Sequence, residues 1–295
     1  MTRVVYVDGA YAPYAEAAVH VEDRGYQFAD AVYEVCEVLN GCLVDERRHL
    51  LRLRRSLSEL HMPMPMDFRS LGVILRETVR RNRVKNGVVY LQVSRGVARR
   101  DFAFPAGGTP QSIVCLARSL SPARGEKKAA AGISVITVPD IRWHRVDIKT
   151  TGLLAQSLAR QQAKDAGADE AWMVDHESFI TEGASCNAWI ATAGGKLVTH
   201  PAKSGILRGI TREVAIEIAR RSGLELEERA FTAAEAKAAE EAFQTSASGL
   251  VMPVVKIDGQ AIGNGKPGPV ASKLRSSYHS TAEISLPHRL TTITL

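Results

Sequence analysis

The sequence predicts a mixed α+β protein with a small N-terminal α+β domain, residues 1–118, and a larger C-terminal domain, residues 126–282. Strand-like and helix-like patterns are mixed along the chain and form no internal repeat. With 295 residues, 45% of them hydrophobic, the chain is long enough for one large or two medium domains. Residues 119–125, which include Ser121 and Pro122, have the composition of an interdomain linker. Residues 283–295 lack periodicity and are expected to form a tail.

The small domain is predicted to combine short strands with two helices. Asn40 and Gly41 join two apolar runs and favour a type I′ hairpin, while Pro63 and Pro65 separate two helical patterns. The expected strands are Val4–Val7, Val19–Val21, Ala31–Leu39, Cys42–Val44, Gly87–Arg95 and Ser112–Leu116, with a turn at Asp8 and Gly9 after the first. The expected helices are Glu46–Leu60 and Phe68–Asn82.

The larger domain continues this mixture of strands and helices. Its expected strands are Ile133–Val138, Glu170–Val174 and Ala188–Ala191. Its expected helices are Gly152–Ala166, one that ends at Arg221, and Val270–Ser280.

Composition and motifs argue against several functional classes. A net charge of +6 and the arginines crowded between residues 47 and 55 would suit nucleic acid, but only 6% of residues are aromatic and no zinc or helix-turn-helix signature occurs. The glycine-rich run at residues 263–268 contains Pro267 where the helix of a dinucleotide-binding motif should continue, which argues against a dehydrogenase. A basic nucleic-acid-binding protein and a non-catalytic scaffold are kept as alternatives from other classes.

The cellular compartment is predicted from what the sequence lacks. No run approaches about eighteen consecutive apolar residues, and Asp8 and Gly9 come before any signal-peptide core could form. We therefore expect a cytoplasmic protein that does not contact a membrane. The four cysteines, at positions 36, 42, 115 and 186, show no paired C-x-x-C spacing, so we expect neither a disulfide framework nor a metal site.

The strongest chemical signal is Lys149, which lies between a strand-like run and a helical pattern. Arg142 and Arg145 are its neighbours in sequence, and with partial burial their positive charge would favour the neutral amine of Lys149 over the ammonium form. A neutral amine can attack a carbonyl and form a Schiff base. A single lysine in a basic loop is more often an exposed surface residue, so this prediction depends on the segments that follow.

Three later segments supply the groups that such a lysine would need. Glu182 precedes Gly183 and a run of small residues, which suits a carboxylate in a cleft that a planar ligand can approach. Residues 204–212 place glycines and a threonine at a helix start, where free backbone N–H groups bind anions. Residues 244–249 add hydroxyl groups. A lysine, a carboxylate, an anion site and hydroxyl groups are the components of a pyridoxal phosphate site.

Several segments together carry a resemblance to a known family. They are Asp23–Glu34, Tyr90–Gly96, Asp140–Trp143, Asp147–Lys149, Thr181–Gly183 and Ile206–Arg212. In this order and spacing they resemble the fold-type IV pyridoxal-phosphate transaminases of the branched-chain aminotransferase superfamily, and most closely the D-amino-acid aminotransferases. The resemblance runs from about Val5 to about Leu274. It implies a larger domain with a β-barrel-like core, a pyridoxal 5′-phosphate cofactor and a homodimer in which a small-domain loop reaches the partner's site.

The resemblance also implies roles for individual residues. Lys149 is the catalytic residue, Glu182 pairs with the pyridine nitrogen, and Leu207 packs on one face of the ring. Arg52 is expected to bind the cofactor phosphate together with the start of the helix at Thr211. The full cofactor set is Arg52, Glu182, Ser185, Leu207, Gly209, Ile210, Thr211, Ser246 and Ala247, and the substrate set is Tyr33, Arg100 and Phe102.

The implied reaction transfers the amino group of a D-amino acid, such as D-alanine or D-glutamate, to a 2-keto acid through a Schiff base of Lys149 and a 1,3-proton shift. Two positions depart from the family pattern. Phe102 stands where a histidine helps an arginine, here Arg100, to bind the substrate carboxylate, and Gly152 stands where asparagine is frequent. These departures leave the substrate range open. A branched-chain L-amino-acid aminotransferase, an (R)-selective amine transaminase and an aminodeoxychorismate lyase share the cofactor residues and are the alternatives.

Overall fold

The computed structural model describes residues 3–203 and 205–285. Its strands are β1 (Val4–Val7), β2 (Ala10–Pro13), β3 (Ala31–Leu39), β4 (Cys42–Val44), β5 (Gly87–Ser94), β6 (Ser112–Ser119), β7 (Ile133–Pro139), β8 (Glu170–Val174), β9 (Ile180–Gly183), β10 (Asn187–Ala191), β11 (Leu197–Thr199), β12 (Leu226–Glu228), β13 (Glu241–Ser246), β14 (Leu250–Ile257), β15 (Gln260–Ala261) and β16 (Ile284–Ser285). Its helices are α1 (Arg24–Phe28), α2 (Glu46–Glu59), α3 (Phe68–Arg81), α4 (Pro122–Ala131), α5 (Leu154–Asp165), α6 (Ile210–Arg221), α7 (Ala233–Lys237), α8 (Pro269–Ser276) and α9 (Tyr278–Thr281).

The chain forms two compact units. Within the described residues, the first unit contains the chain up to Ser121, Ile148–Gly152 and the residues from Glu283 on, and the second contains Pro122–Asp147 and Leu153–Ala282. The linker expected at residues 119–125 has regular structure at both ends, because β6 extends to Ser119 and α4 begins at Pro122. Proline is favoured at the first position of a helix, since it has no N–H group to leave unbonded there.

The first unit contains an antiparallel sheet which, in the described residues, has seven strands in the order β16-β4-β3-β5-β6-β1-β2. Helices α2 and α3 pack against one face of it. Every second residue of β3 and β5 points toward the helices, and the helices turn their apolar sides toward the sheet. The resulting core includes Val32, Cys36, Val38, Leu50, Leu53, Leu57, Leu71, Leu75, Val79, Val89, Leu91 and Val93.

Two hairpins in this sheet are closed by two-residue turns. Asn40 and Gly41 have φ values of 51° and 81°, as a type I′ turn requires, so the predicted β3–β4 hairpin is confirmed. Asp8 and Gly9, with φ values of 45° and 98°, make the other turn and return the chain directly into β2. The predicted strand Val19–Val21 is wrong, because the partner of β1 begins as soon as this turn ends.

A segment distant in sequence covers the edge of β3. Strand β4 has only three residues, so the hairpin leaves the first residues of β3 without a neighbour on that side. There Tyr33 donates its backbone N–H to the carbonyl of Lys149 at 3.0 Å, and Thr151 donates to the carbonyl of Ala31 at 3.1 Å. This pairing fixes the backbone of Lys149 beside the start of β3.

The last described residues also join the sheet of the first unit. Ile284 and Ser285 form β16, which pairs with β4, and Asp45 donates its N–H to the carbonyl of Glu283 at 2.6 Å. The predicted tail at residues 283–295 is therefore wrong for its first three residues, which are bonded to the sheet. The rest of that range lies outside the described residues.

The second unit is built on a mixed sheet, which in the described part of the chain has nine strands. Eight of them follow the order β12-β11-β10-β13-β14-β7-β8-β9, and β15 pairs with β14. Strand β7 runs parallel to β8 and β14, whereas β8–β9, β10–β13 and β13–β14 are antiparallel. Strand β9, at one end of this order, also contacts β10, so the sheet curls into a half-barrel. The predicted mixed fold with a β-barrel-like core is confirmed.

Two helices of the second unit differ in extent from the prediction. The helix expected from Gly152 begins at Leu154, because the preceding residues pair with β3. The helix expected at Val270–Ser280 is divided into α8 and α9. Across residues 3–203 and 205–285, no helix combines the length and the apolar character that crossing a bilayer demands.

Candidate active site

Lys149 is half-buried in the first unit and contacts Tyr33. Its Nζ atom lies 4.3 Å from the centre of the Tyr33 ring, which is a cation–π distance. The Tyr33 ring stacks on Tyr90 with 5.4 Å between ring centres, and the Tyr90 hydroxyl donates to Gln92 Oε1 at 2.7 Å. Burial raises the pKa of Tyr90, so its hydroxyl stays protonated at neutral pH. The structure therefore brings two predicted site residues, Lys149 and Tyr33, together.

Arg52, the predicted phosphate ligand, is bonded to a buried acid. Its Nε and Nη2 atoms donate to the two carboxylate oxygens of Glu34 at 2.8 and 2.7 Å, and His49 Nδ1 lies 2.7 Å from Glu34 Oε2. Burial raises the pKa of Glu34, but the charge and hydrogen bonds of Arg52 and His49 outweigh this effect and lower the pKa to about 2. His49 and Arg52 lie three residues apart on one side of α2, which faces β3.

Arg100 and Phe102, the predicted carboxylate-binding residues, lie on the exposed loop between β5 and β6. The guanidinium carbon of Arg100 is 4.8 Å from the centre of the Phe28 ring. Phe102 contacts the same ring edge-on at 5.8 Å and remains 87% exposed. Phe28 ends α1, whose first turn is capped by Asp23. One residue of this short helix therefore contacts both members of the predicted pair.

In the second unit, Glu182 is buried on β9 and is held by three donors. Arg142 Nη1 is hydrogen-bonded to its Oε1, while Oε2 accepts bonds from Asn187 Nδ2 at 2.9 Å and from the Leu207 N–H at 3.0 Å. A tight turn at residues 183–186 brings the chain back, so that Asn187 reaches Glu182. The three donors orient the carboxylate and stabilise its negative charge.

Arg142 connects Glu182 to a second acid. Its Nε and Nη2 atoms donate to the two oxygens of Asp140 at 2.9 and 2.6 Å, and Nη2 also donates to the Gly205 carbonyl at 3.1 Å. Burial lowers the pKa of Arg142, but Asp140 and Glu182 raise it above its ordinary value. Burial raises the pKa of Asp140, but Arg142 holds it below its usual range. The guanidinium thus stays charged between two acids.

The charges expected to act on Lys149 are balanced by carboxylates. Arg145 donates from Nε and Nη2 to Asp147 at 2.9 and 3.1 Å, and Arg142 is bonded to two acids. Both arginines are thus paired with acids, and their expected effect on Lys149 stays a prediction.

The predicted anion site at the start of α6 is coupled to Glu182. Gly209 is the residue before the helix, and a Cβ atom on it would lie 2.1 Å from Asn187 Oδ1. Only glycine therefore allows Asn187 to keep its position against Glu182. Among the described residues no side chain caps this helix, so the N–H groups of Ile210 and Thr211 can bind another acceptor.

The remaining predicted cofactor residues lie on two turns of the second unit. Ser185 is exposed on the turn between β9 and β10. Ser246 ends β13, and its hydroxyl accepts the N–H of Gly249 at 3.1 Å, an arrangement that lets the hydroxyl proton be donated elsewhere. Ala247 follows in the same turn. The hydroxyl of Thr245 instead accepts a bond from the Trp189 indole at 3.0 Å.

Sequence reasoning missed the partners that hold these residues. Glu34 carried a usable signal, because it faces the helices from β3 between Val32 and Cys36, and an acid in a buried apolar row needs a partner. The bond between Arg142 and Glu182 spans 40 residues, and no local pattern indicates it. Asn187 follows the run of small residues after Gly183, but its two bonds depend on the geometry of the turn.

Known proteins resemble this chain over most of its length. The chain matches the amino-transferase class IV family over residues 31–257, a range that includes every predicted site residue. It is 38% identical over 277 residues to the D-alanine aminotransferase of Bacillus licheniformis, which covers 94% of this chain and 96% of that protein. It is also 38% identical over 284 residues to the D-alanine aminotransferase of Staphylococcus haemolyticus, a match that covers 96% of this chain and 99% of that protein.

Solved structures share the fold. One is the branched-chain amino acid aminotransferase from T.th. with pyridoxamine 5′-phosphate, which has a TM-score of 0.86 at 27% identity. The match covers 95% of this chain and 94% of the chain of that structure. The branched-chain aminotransferase from Thermoproteus uzoniensis with norvaline has a TM-score of 0.85 at 27% identity. This match covers 96% of this chain and 99% of the chain of that structure. Since both the family match and the near-full-length relatives span most of the sequence, this chain belongs to the amino-transferase class IV family and is a fold-type IV aminotransferase.

Proposed function

We propose that this aminotransferase moves the amino group of a D-amino acid, such as D-alanine or D-glutamate, to a 2-keto acid, with pyridoxal 5′-phosphate as its cofactor. The observation that carries the proposal is the identity of 38% to two D-alanine aminotransferases over 96% and 99% of their lengths. A match of this extent involves the whole fold and not one shared motif.

The residues of the second unit fit the two ends of the cofactor. Glu182, held by three donors, offers a fixed acceptor for a protonated ring nitrogen. The uncapped start of α6, with Gly209 before it, offers backbone N–H groups to a phosphate. Asn187 bonds both to Glu182 and to the Leu207 carbonyl, each at 2.9 Å, and so ties the acid to the segment that leads into the helix.

Lys149 is the residue that moves the proton. When bound, the cofactor supplies an electron-withdrawing ring that makes the substrate Cα–H acidic. The Nζ atom of Lys149 takes that proton as a general base and returns it as a general acid. The contact of Nζ with the Tyr33 ring and the backbone bond from Tyr33 to Lys149 orient the amine. Glu182 keeps the proton on the ring nitrogen.

Arg52 contributes positive charge for the phosphate, and Glu34 sets its direction. Two of the donors of Arg52 hold Glu34, and because a guanidinium has five N–H donors in a planar fork, one arginine can hold an acid and bind a phosphate together. The depressed pKa of Glu34, about 2, keeps this acid ionised throughout the neutral range, so the orientation of Arg52 does not depend on pH there.

The substrate carboxylate is bound by Arg100. Its planar fork matches the two oxygens of a carboxylate. Phe102 has no polar group and gives no second hydrogen bond, so recognition of the carboxylate depends on one arginine. We expect weaker discrimination between carboxylate substrates and other amines than an arginine–histidine pair would give.

The proposal is tested with the purified holoenzyme, 2-oxoglutarate and paired D- and L-alanine, with pyruvate formation as the readout. We expect D-alanine to react faster than L-alanine. The Lys149→Ala variant is expected to lose both turnover and the visible absorbance band of the lysine-bound cofactor at about 410 nm. Lys164→Ala, which changes an exposed lysine on α5, is the matched control and is expected to keep both. Faster reaction of L-alanine would refute the proposal.

A second candidate is a branched-chain L-amino-acid aminotransferase. It is favoured by the TM-scores of 0.86 and 0.85 to two such enzymes, although these are only 27% identical. The same assay with L-leucine and L-valine as amino donors distinguishes it. A higher kcat/KM for L-leucine than for D-alanine would replace the first proposal by this one.

We further propose that the enzyme is a cytoplasmic homodimer. The first unit exposes apolar side chains that a second copy would bury, including Val21 at 72%, Tyr26 at 76% and Phe102 at 87% exposure. The four cysteines are free thiols, which suits a reducing compartment. Sedimentation equilibrium of the purified protein tests the assembly, and a single species with the monomer mass of 32.0 kDa at micromolar concentration would refute it.

A further inference from the structure

The loop that carries Arg100 rests on a cluster of alternating arginines and phenylalanines within the first unit. This arginine–phenylalanine cluster consists of Arg100, Phe28, Arg24, Phe104 and Arg95. From guanidinium carbon to ring centre, successive members are 4.8, 4.6, 5.9 and 3.7 Å apart. Each spacing allows a cation–π contact.

The inner end of the cluster is fixed by buried ion pairs. Arg24 and Arg95 are 3% and 8% exposed, and the Nε atom of each donates to the same oxygen of Asp30, at 2.8 and 2.7 Å. Arg95 Nη2 also donates to the carbonyl of Leu60 at 2.7 Å. Removing the partner of a buried guanidinium strongly destabilises a folded protein, so these bonds keep the side chains of Arg24 and Arg95 in fixed positions.

The outer end of the cluster holds the loop on both sides of its turn. Arg24 Nη1 donates to the carbonyl of Asp101 at 2.7 Å, one residue after Arg100. The Asp101 side chain accepts the N–H of Ala103 at 3.0 Å, which closes a turn before Phe104. The backbone next to Arg100 is therefore fixed, although the loop itself is exposed.

We propose that Phe28 and Phe104, with Arg24, are positioning residues that hold Arg100 in the orientation in which it binds the substrate carboxylate. This inference rests on the proposed function, because it needs a carboxylate substrate. The guanidinium carbon of Arg100 lies over the Phe28 ring at 4.8 Å, and a cation–π contact of this kind uses none of the N–H donors in a hydrogen bond to an oxygen. The contact therefore restrains the side chain and leaves its hydrogen-bonding edge available.

The restraint matters because Arg100 has no histidine beside it. An arginine side chain loses substantial rotational freedom when it binds, and a side chain that is already oriented loses less. With Phe102 unable to donate, one arginine must supply the whole interaction with the carboxylate. The cluster thus takes over, through orientation, part of what a second donor would contribute through bonding.

The test compares substitutions at Phe28 by steady-state kinetics of the holoenzyme with D-alanine and 2-oxoglutarate. Phe28→Leu removes the ring but keeps an apolar side chain. We expect KM for both substrates to rise about 2- to 5-fold, which corresponds to the loss of one cation–π contact, while kcat is unchanged. Phe28→Tyr keeps the ring and is expected to restore the original KM. Tyr14→Leu is the matched control, because it removes a cation–π contact elsewhere, in which the guanidinium carbon of Arg3 lies 4.2 Å from the centre of the Tyr14 ring. We expect no change in KM.

Two further variants separate this inference from the proposed function. Arg100→Ala is expected to raise KM about tenfold or more, as the loss of a charged hydrogen bond of about 1.5–3 kcal/mol implies. The double variant Phe28→Leu/Arg100→Ala is expected to match Arg100→Ala alone, because Phe28 acts through Arg100. Amide hydrogen exchange of residues 97–104 is expected to be faster in Phe28→Leu. If this variant does not fold, Phe104→Leu gives the same test from the other side of the loop.

The possible outcomes differ in what they overturn. An unchanged KM in Phe28→Leu, beside a raised KM in Arg100→Ala, overturns the positioning role and leaves the proposed function intact. Additive effects in the double variant also overturn the positioning role. An unchanged KM in Arg100→Ala overturns both the assignment of Arg100 and the inference built on it, while transamination itself would still be measured.

Discussion

We expect Glu34→Gln to destabilise the first unit far more than the same substitution at Glu77, although the two acids make similar bonds. Glu34 accepts two bonds from Arg52, at 2.8 and 2.7 Å, and Glu77 accepts two from Arg80, at 2.6 and 2.7 Å. The pKa of each acid is lowered to about 2. Burial raises the pKa of Glu34, but its bonded partners outweigh this effect. They differ in exposure, because the Glu34 side chain is 2% exposed and that of Glu77 is 23% exposed.

The expected magnitudes follow from that difference in exposure. Removing one partner of a buried ion pair leaves the other charge without compensation and costs about 3 kcal/mol. A pair at the surface is screened by water and contributes at most about 1 kcal/mol. For a chain of this size, about 3 kcal/mol corresponds to a fall in Tm of about 6–12 °C. The Glu77→Gln variant is expected to change Tm by no more than about 4 °C.

The assay must report on the first unit alone. The three tryptophans, at positions 143, 172 and 189, lie in the second unit, so intrinsic fluorescence does not follow the unfolding of the first. Amide hydrogen exchange of the peptide that contains β3, measured by mass spectrometry during a temperature series, does follow it. Equal shifts in the two variants would refute the reasoning, since burial would then have no effect on the strength of the pair.

Three other outcomes follow from the structure. We expect Gly209→Ala to weaken cofactor binding about tenfold, measured by absorbance titration of the apoenzyme, because its Cβ would lie 2.1 Å from Asn187 Oδ1. We expect Arg142→Met to destabilise the second unit by about 3 kcal/mol in tryptophan-monitored urea unfolding, because Glu182 loses its buried counter-charge. The pKa of Glu34 falls from 4.5 to about 2 on folding, so the stability that its ionised form contributes is complete above about pH 4.5 and is lost as the pH decreases toward 2. Calorimetry at stepped pH is expected to show this decrease in Tm, and a smaller decrease in Glu34→Gln.

Controls for these outcomes are available in the same chain. Gly194→Ala has no close neighbour for the added carbon, whose nearest contact would be at 3.8 Å, and is expected to leave cofactor binding unchanged. Arg145→Met removes a partner of Asp147 in a pair that is 48% and 21% exposed, and is expected to cost little. Unchanged cofactor binding in Gly209→Ala, or equal destabilisation by the two arginine variants, would contradict the corresponding prediction.

Local pattern was sufficient for features that depend on neighbouring residues. The β3–β4 hairpin followed from Asn40 and Gly41, since both must adopt positive φ and these residues do so readily. The α+β class and the curled sheet agree with the motifs that first indicated the family. Glu182 was identified from Gly183 and the small residues after it, and the structure places this acid at the centre of a bonded group.

Local pattern was insufficient where the structure depends on distant segments. Nothing in the composition of residues 148–152 indicates that they pair with β3, because an open strand edge is a property of the sheet as a whole. The same limit applies to Arg142: its place in the sequence drew attention to Lys149, whereas its bonds to Asp140 and Glu182 are visible only in the fold. The contact of Phe28 with Arg100 is likewise visible only in the fold, because the two residues are far apart in sequence.

The connectivity of the first unit has a consequence for biosynthesis. Residues up to Ser121 leave the ribosome early, but the segment that protects β3 follows only at Ile148, and the strand that protects β4 only at Ile284. Until Ile284 has been synthesised, the nascent sheet carries bare edges that can pair with other chains. A fragment truncated at Ser121 would keep those edges permanently and would be a poor module for fusion or crystallisation.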